Sequence, residues 1–325
     1  MKLSSLIGLT VPKEKARILI QACNHSNEIF PHTLLYGIGG IGKTIFARAI
    51  GTELNYHFVE THGAVFKKPE QLFEYILTQS KIAQGLSKHL LFFLDEIHRL
   101  KLPLQEALYS IMREWWIPNS CSNIHVSPFT LFAATTRMDM LDTNSFVSRF
   151  DNVWEITRYS NKEIEIIIAD ELSKYKLMFD QQVVKTIAKR CLGIPRIAVN
   201  LSKKIRIATL GHKSNIVSMN HVLHTFDLEG IDELGLQPIH HRYLQILFSS
   251  KTNNHFIPLG VGAIAAKMRQ AEEVIKGSVE PILLELDFIA PTPRGRVITL
   301  AGSQYFEKSL KKGLDISHNG GKLRA

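Results

Sequence analysis

Residues 33–50 read Thr33-Leu34-Leu35-Tyr36-Gly37-Ile38-Gly39-Gly40-Ile41-Gly42-Lys43-Thr44-Ile45-Phe46-Ala47-Arg48-Ala49-Ile50, an apolar run, a glycine-rich turn and a helical segment in unbroken succession. The turn fits GxxxxGK[ST], and strand before and helix after supply the context that this motif requires. Glycines let the backbone wrap closely around phosphates with its N–H groups turned inward, and the helix N-terminus adds partial positive charge. The reading is a nucleoside triphosphate site, with ATP as ligand. Gly37, Gly39, Gly40, Ile41 and Gly42 supply the loop, Lys43 reaches the β- and γ-phosphates, and Thr44 offers its hydroxyl to Mg²⁺.

Working outward, Tyr56 to Glu60 alternates as a strand, and Pro69 opens a helix that buries Leu72, Phe73, Ile76 and Leu77. Leu90-Leu91-Phe92-Phe93-Leu94 is continuously apolar, as a strand covered on both faces must be. Leu104, Leu108, Ile111, Met112 and Trp115 mark a helix face, and Phe129 to Ala134 a further strand. The succession predicts an α/β P-loop domain, a mostly parallel sheet with helices on both faces, over residues 1–157. A small helical domain follows over 158–232, with a capping box at Ser160 and Glu163 and helix signals around Val184 to Cys191 and from Pro195. Helices near 239–249, 260–268 and 271–286, with strands flanking Pro291 to Arg296, predict a winged-helix domain over 233–307. Residues 308–325 read as a flexible basic tail.

Apolar residues make up 45% of the 325, which is ordinary for a globular protein of two or three domains. The net charge is +9, and residues 238–325 hold 12 Lys and Arg against 7 Asp and Glu. That bias suits a polyanion such as nucleic acid. Cys23, Cys121 and Cys191 show no metal-ligand or disulfide spacing, which predicts a reducing cytoplasm. Apolar runs fall far below the roughly 18 residues of a membrane span, and no signal peptide is evident. The 14 histidines, including His98 and the pair His240-His241, show no ligand spacing and read as structural or surface residues.

Asp95 and Glu96 end the Leu90 strand at the rim where open α/β sheets bind ligands. By analogy with P-loop ATPases, Asp95 holds Mg²⁺ and Glu96 activates the attacking water. Thr136 ends the next strand, where a hydroxyl can polarise that water or sense the γ-phosphate. Arg149 can project to a neighbouring subunit and Arg196 can bridge the helical domain to the phosphates, although by spacing alone each suits a surface residue better than a catalytic one. Arg294 and Arg296 flank Gly295 in a tight turn and suit DNA phosphate contacts.

These stretches, with Asp95-Glu96-Ile97-His98-Arg99-Leu100, Ala134-Thr135-Thr136-Arg137, Gly193-Ile194-Pro195-Arg196, Val279-Glu280-Pro281 and Thr292-Pro293-Arg294-Gly295-Arg296, make a chain that resembles the RuvB family of AAA+ ATPases, from about Leu6 to Thr299. The resemblance implies a AAA+ domain, a helical lid and a C-terminal winged helix. It makes Lys43 and Thr44 the Walker A residues, Asp95 and Glu96 the Walker B pair, Thr136 sensor 1, Arg149 a finger acting in trans and Arg196 sensor 2. It also puts Ile45 and Tyr159 beside the nucleotide. It implies homo-hexamers on duplex DNA flanking a four-way Holliday junction held by RuvA, and ATP-driven branch migration in recombination and repair.

The chain departs from the family in several places. Ile38 and Gly39 replace prolines of the phosphate loop, Val147 replaces an arginine two residues before Arg149, and Pro291 replaces an arginine before the wing turn. The leader that embraces the adenine in the family is absent before Leu6. The segment from Arg113 to Ser127 is shorter than the hairpin that docks RuvA, which counts against that partnership. With Trp115 and Trp116 in that segment, a second reading is a AAA+ loader that places a helicase, recombinase or transposase on DNA. A third, an ATP-gated scaffold without turnover, conflicts with the intact Lys43, Glu96, Thr136, Arg149 and Arg196.

Overall fold

A computed structural model describes residues 2–117, 123–142, 145–252 and 255–311, in two compact units that divide between Tyr159 and Ser160. Five strands form the sheet of the first unit: β1 (Thr33–Tyr36), β2 (His57–His62), β3 (Leu90–Asp95), β4 (Phe129–Thr135) and β5 (Asn152–Glu155). All pair in parallel, in the order β2-β3-β4-β1-β5. Sequence periodicity missed β5, because Asn152-Val153-Trp154-Glu155 is too short to establish alternation.

The apolar run of β3 follows from the two layers that cover the sheet. Phe92 and Leu94 point into a core with Leu72, Ile76, Leu104, Leu108 and Ile111, from helices Pro69–Gly85 and Leu102–Glu114. Leu91 and Phe93 point the opposite way, toward Phe46, Ala47 and Ile50 of helix Lys43–Glu53 and Ala16 of helix Thr10–Ser26. Successive strand residues face opposite sides, so a strand covered twice must be apolar throughout.

The sheet order sets the site. β1 pairs with β4 and β5 while the chain after β1 leaves for the far edge at β2. The crossovers that leave the neighbouring strands β1 and β4 therefore run in opposite directions, toward β2 and β5, and a crevice opens at the carboxyl ends of the strands. The ends of β1, β3 and β4 converge there through the partner pairs Tyr36 with Thr135 and Leu94 with Ala133.

The second unit begins on the expected capping box. Ser160 Oγ accepts from Glu163 N at 3.3 Å, and Ser160 N donates to Glu163 Oε2 at 2.7 Å. Helices Asn161–Ser173, Gln181–Lys189, Pro195–Gly211 and Met219–Glu229 follow. Cys191 lies just past the second of these, where burial pushes its thiol up to about 12.

Helices Pro238–Phe248 and Val261–Met268 and the antiparallel strands Ile289–Thr292 and Gly295–Ile298 build the winged helix. The helix expected over 271–286 runs from Glu272 to Glu285 but is not α-helical throughout. A π turn spans Ile275–Val279 ahead of Glu280–Glu285, because Pro281 has no N–H for the regular ladder. Leu300–Lys311 is also helical. The expected tail is thereby corrected for Lys308 to Lys311, which form the last turn of that helix, and its remainder, 312–325, lies outside the described residues. Among the described residues no helix is long and apolar enough to cross a membrane.

Candidate functional site

The loop after β1 is shaped by three glycines with positive φ: Gly37 at 149°, Gly40 at 78° and Gly42 at 108°, a region that side chains with a Cβ rarely adopt. At Gly37 a Cβ would also collide with the Ile156 carbonyl. Gly39 has open space where a Cβ would stand. Lys43, the first residue of the loop helix, is buried, and its ammonium turns back to donate to the Gly37 carbonyl at 2.8 Å and the Ile38 carbonyl at 3.1 Å. Ile41 is buried under the loop, whereas Ile45 is about half exposed. The Tyr159 hydroxyl lies 3.3 Å from where a Cβ at Gly42 would sit. Far from Gly42 along the chain, Tyr159 comes to the loop in the folded structure.

Asp95 ends β3 and accepts from Glu96 N at 2.9 Å. Glu96 turns into the left-handed region, φ 49°, which points its carboxylate across to β4. There Thr136 Oγ1 donates to Glu96 at 2.9 Å, Thr136 N reaches it at 3.4 Å, and His98 Nδ1 is 3.1 Å away. Burial by itself would raise the Glu96 pKa, but the hydrogen bonds from His98 and Thr136 outweigh it and hold the carboxyl at about 2. Glu96 is therefore ionised and anchored. His98, read from sequence as a structural or surface histidine, stands inside this crevice. Its position two residues after Glu96 was the available signal.

Arg149 ends a short turn, Val147–Arg149, with its guanidinium 4.3 Å above the Tyr109 ring and Nε on the Ser145 carbonyl at 3.1 Å. Its side chain is exposed. In the second unit Arg196 is exposed in the first turn of helix Pro195–Gly211.

The two wing arginines differ. Arg294 is exposed at the turn. Arg296 instead donates through Nε at 3.2 Å and through a terminal nitrogen at 3.1 Å to the buried Glu280 carboxylate, whose other oxygen accepts from Tyr243 Oη at 2.8 Å. The two are therefore held differently: a buried carboxylate requires a partner, and Arg296 supplies it. Gly295, φ 136°, lets the wing pass against Leu259, whose carbonyl a Cβ would strike.

Residues 1–156 match the Holliday junction DNA helicase RuvB P-loop domain, and residues 233–307 match the RuvB C-terminal winged helix domain. The chain is 32% identical to the Holliday junction branch migration complex subunit RuvB of Fervidobacterium nodosum, covering 93% of this chain and 86% of that one. The subunit of the same name from Thermotoga maritima is also 32% identical, over 91% and 88%. This chain belongs to the RuvB family. A solved structure described as the Thermotoga maritima RuvB Holliday junction branch migration motor superposes with a TM-score of 0.82 at 30% identity, covering 94% of this chain and 97% of that one.

Against the RuvB pattern, the short segment before Pro128 does form a hairpin. Trp116–Ile117 pairs antiparallel with Ile124–His125, and residues 118–122 lie outside the described residues. Trp115 packs its ring against His32 and Phe129, 5.7 and 5.4 Å between centroids, while Trp116 is 43% exposed and meets His125 edge-on. The adjacent tryptophans thus divide between core and surface.

Proposed function

We propose that this protein is an ATP-hydrolysing motor that acts on branched duplex DNA and drives branch migration of Holliday junctions, as its relatives' names describe. One observation carries the reading. The buried ammonium of Lys43 and the anchored carboxylate of Glu96 stand at the ends of strands β1 and β3, on either side of β4, around one crevice.

The loop from Gly37 through Gly42 and the side chain of Lys43 hold the triphosphate, with Ile41 and Ile45 beneath and beside it and Tyr159 against Gly42. Thr44 and Asp95 would hold Mg²⁺, which neutralises charge on the phosphate oxygens when bound. Glu96 orients the attacking water, and Thr136 senses the state of the site. Arg149 serves a neighbouring subunit in a homo-hexamer, a role that its exposure beside Tyr109 supports, and Arg196 serves as the lid's contact to the nucleotide. Arg294 contacts the DNA backbone. Domains at 1–157, 158–232 and 233–307 provide motor, lid and winged helix, and the setting is the cytoplasm.

A second reading, a loader of another DNA-processing enzyme, is favoured by one feature. The hairpin has two-residue strands and an exposed Trp116, where RuvA would otherwise dock. ATP hydrolysis measured without DNA, with duplex, with single strand and with a synthetic four-way junction decides between them, together with junction dissociation with and without RuvA. Hydrolysis-driven dissociation supports the motor. Nucleotide-dependent assembly on DNA without dissociation sinks it in favour of the loader.

A further inference from the structure

The crevice contains one polar side chain to which neither composition nor the usual roles of such a site give work. His98 sits in the short turn Ile97–Arg99, is 8% exposed, and directs Nδ1 at two oxygens, Glu96 Oε2 at 3.1 Å and Thr135 Oγ1 at 2.9 Å. Thr135 Oγ1 already accepts from Arg137 N at 2.9 Å. A carboxylate oxygen has only lone pairs to offer, so a bare Nδ1 at 3.1 Å would set lone pair against lone pair. Nδ1 therefore carries a proton, and it is shared between Glu96 and Thr135.

This proton completes a set of donors that arrives from two strands. Thr136 grips Glu96 from the end of β4 through both its N–H and its hydroxyl, and His98 grips it from the turn that follows β3. The backbone below is fixed as well. Gly63 approaches so closely that a Cβ there would lie 2.7 Å from the Glu96 carbonyl, and that carbonyl accepts from Arg99 N at 2.9 Å. With Thr136 alone, the carboxylate could turn about its own side-chain torsions. A second donor at an angle to the first removes that freedom.

We propose that His98 is a positioning residue of the hydrolytic site: its Nδ1–H, braced by Thr135, fixes the rotamer of Glu96 and ties the ends of β3 and β4 together. The proposal rests on the role given above to Glu96. His98 does not touch the nucleotide. It sets where the carboxylate that orients the water is held, so its loss reduces turnover and leaves nucleotide affinity alone.

The test compares His98→Phe, which keeps the ring volume and removes the donor, with His98→Asn, whose amide nitrogen stands where Nδ1 does. For His98→Phe, kcat for ATP falls by about ten- to a hundredfold, while KM and the Kd of a fluorescent ATP analogue stay within about twofold. For His98→Asn, most of kcat returns. Phe at wild-type kcat, or Asn as impaired as Phe, overturns the proposal. Nitrogen-15 NMR of the wild-type imidazole supplies a readout independent of folding of the variants and of activity. A protonated Nδ1 is expected, and a ring protonated at Nε2 alone refutes the assignment. Should the wild-type chain bind ATP without ever hydrolysing it, the motor reading fails, while the NMR result still decides whether His98 donates to Glu96.

Discussion

Arg296 lies 3.1 Å from Glu280, a carboxylate only 4% exposed beneath the wing strands. The pair joins two stretches of the RuvB pattern, Val279-Glu280-Pro281 and the turn Thr292 to Arg296, that are separate in sequence. Arg296 also exchanges backbone hydrogen bonds with Leu259 at 2.7 and 2.9 Å, so the side chain is held where its backbone is already held. Removing it leaves Glu280 buried with Tyr243 as its remaining described hydrogen-bond partner. Arg296→Ala is expected to destabilise the winged helix by about 3–5 kcal/mol, seen as faster hydrogen exchange across 233–307. Unchanged exchange there would contradict this account.

Arg294, exposed one residue before Gly295, has the opposite profile. Arg294→Ala should leave exchange in the winged helix as it is and weaken duplex binding uniformly across sequences. The slope of log affinity against log salt should drop by about 1. A titration over a salt series separates the two arginines cleanly.

Glu96→Gln keeps the volume and one acceptor oxygen of the side chain but removes the charge that orients water. Turnover is expected to fall by about 10²–10⁴ with ATP binding retained, whereas Lys43→Ala should lose binding itself. Equilibrium binding of ATP alongside steady-state hydrolysis distinguishes them, and a Gln variant with wild-type turnover would remove Glu96 from the mechanism.

Arg149 rests on Tyr109, and its guanidinium is exposed. If it serves the neighbour's nucleotide, Arg149→Ala and Lys43→Ala are each inactive alone, and mixing them restores part of the hydrolysis through interfaces that combine an intact loop with an intact arginine. No recovery over a range of mixing ratios would argue against action in trans.

The winged helix should also lose stability in acid. His240 is buried, and that burial, with the adjacent His241, lowers its pKa from 6.5 to about 4. Unfolded chains take up this proton below about pH 6.5 and the folded domain does not, so the stability contribution is complete above that pH. It declines as pH falls toward 4, by about 3 kcal/mol at most. Asp232, held low by His241 and Tyr305 against the effect of burial, adds to the loss once pH drops through the carboxylate range. His240→Asn, whose side-chain oxygen can still accept from Gln237 N, should flatten the exchange-against-pH curve between 6.5 and 4.

Local chemistry was legible wherever one short stretch contains the whole cause. The phosphate loop needs glycines and a lysine at set spacing, the capping box needs Ser160 and Glu163 three apart, and β3 needs an apolar residue at every position because both its faces are covered. The family pattern, too, is written in such stretches. What required the folded chain were relations between residues distant in sequence. Tyr159 reaches Gly42, Glu280 takes Arg296 away from the solvent face of the wing, and Trp115 and Trp116 separate into core and surface. His98 meets Thr135 and Glu96 because β3 and β4 pair in one register. Periodicity and composition record what each segment prefers for itself, whereas a hydrogen bond across strands depends on which backbones pack side by side, and that is settled only when the sheet closes its order.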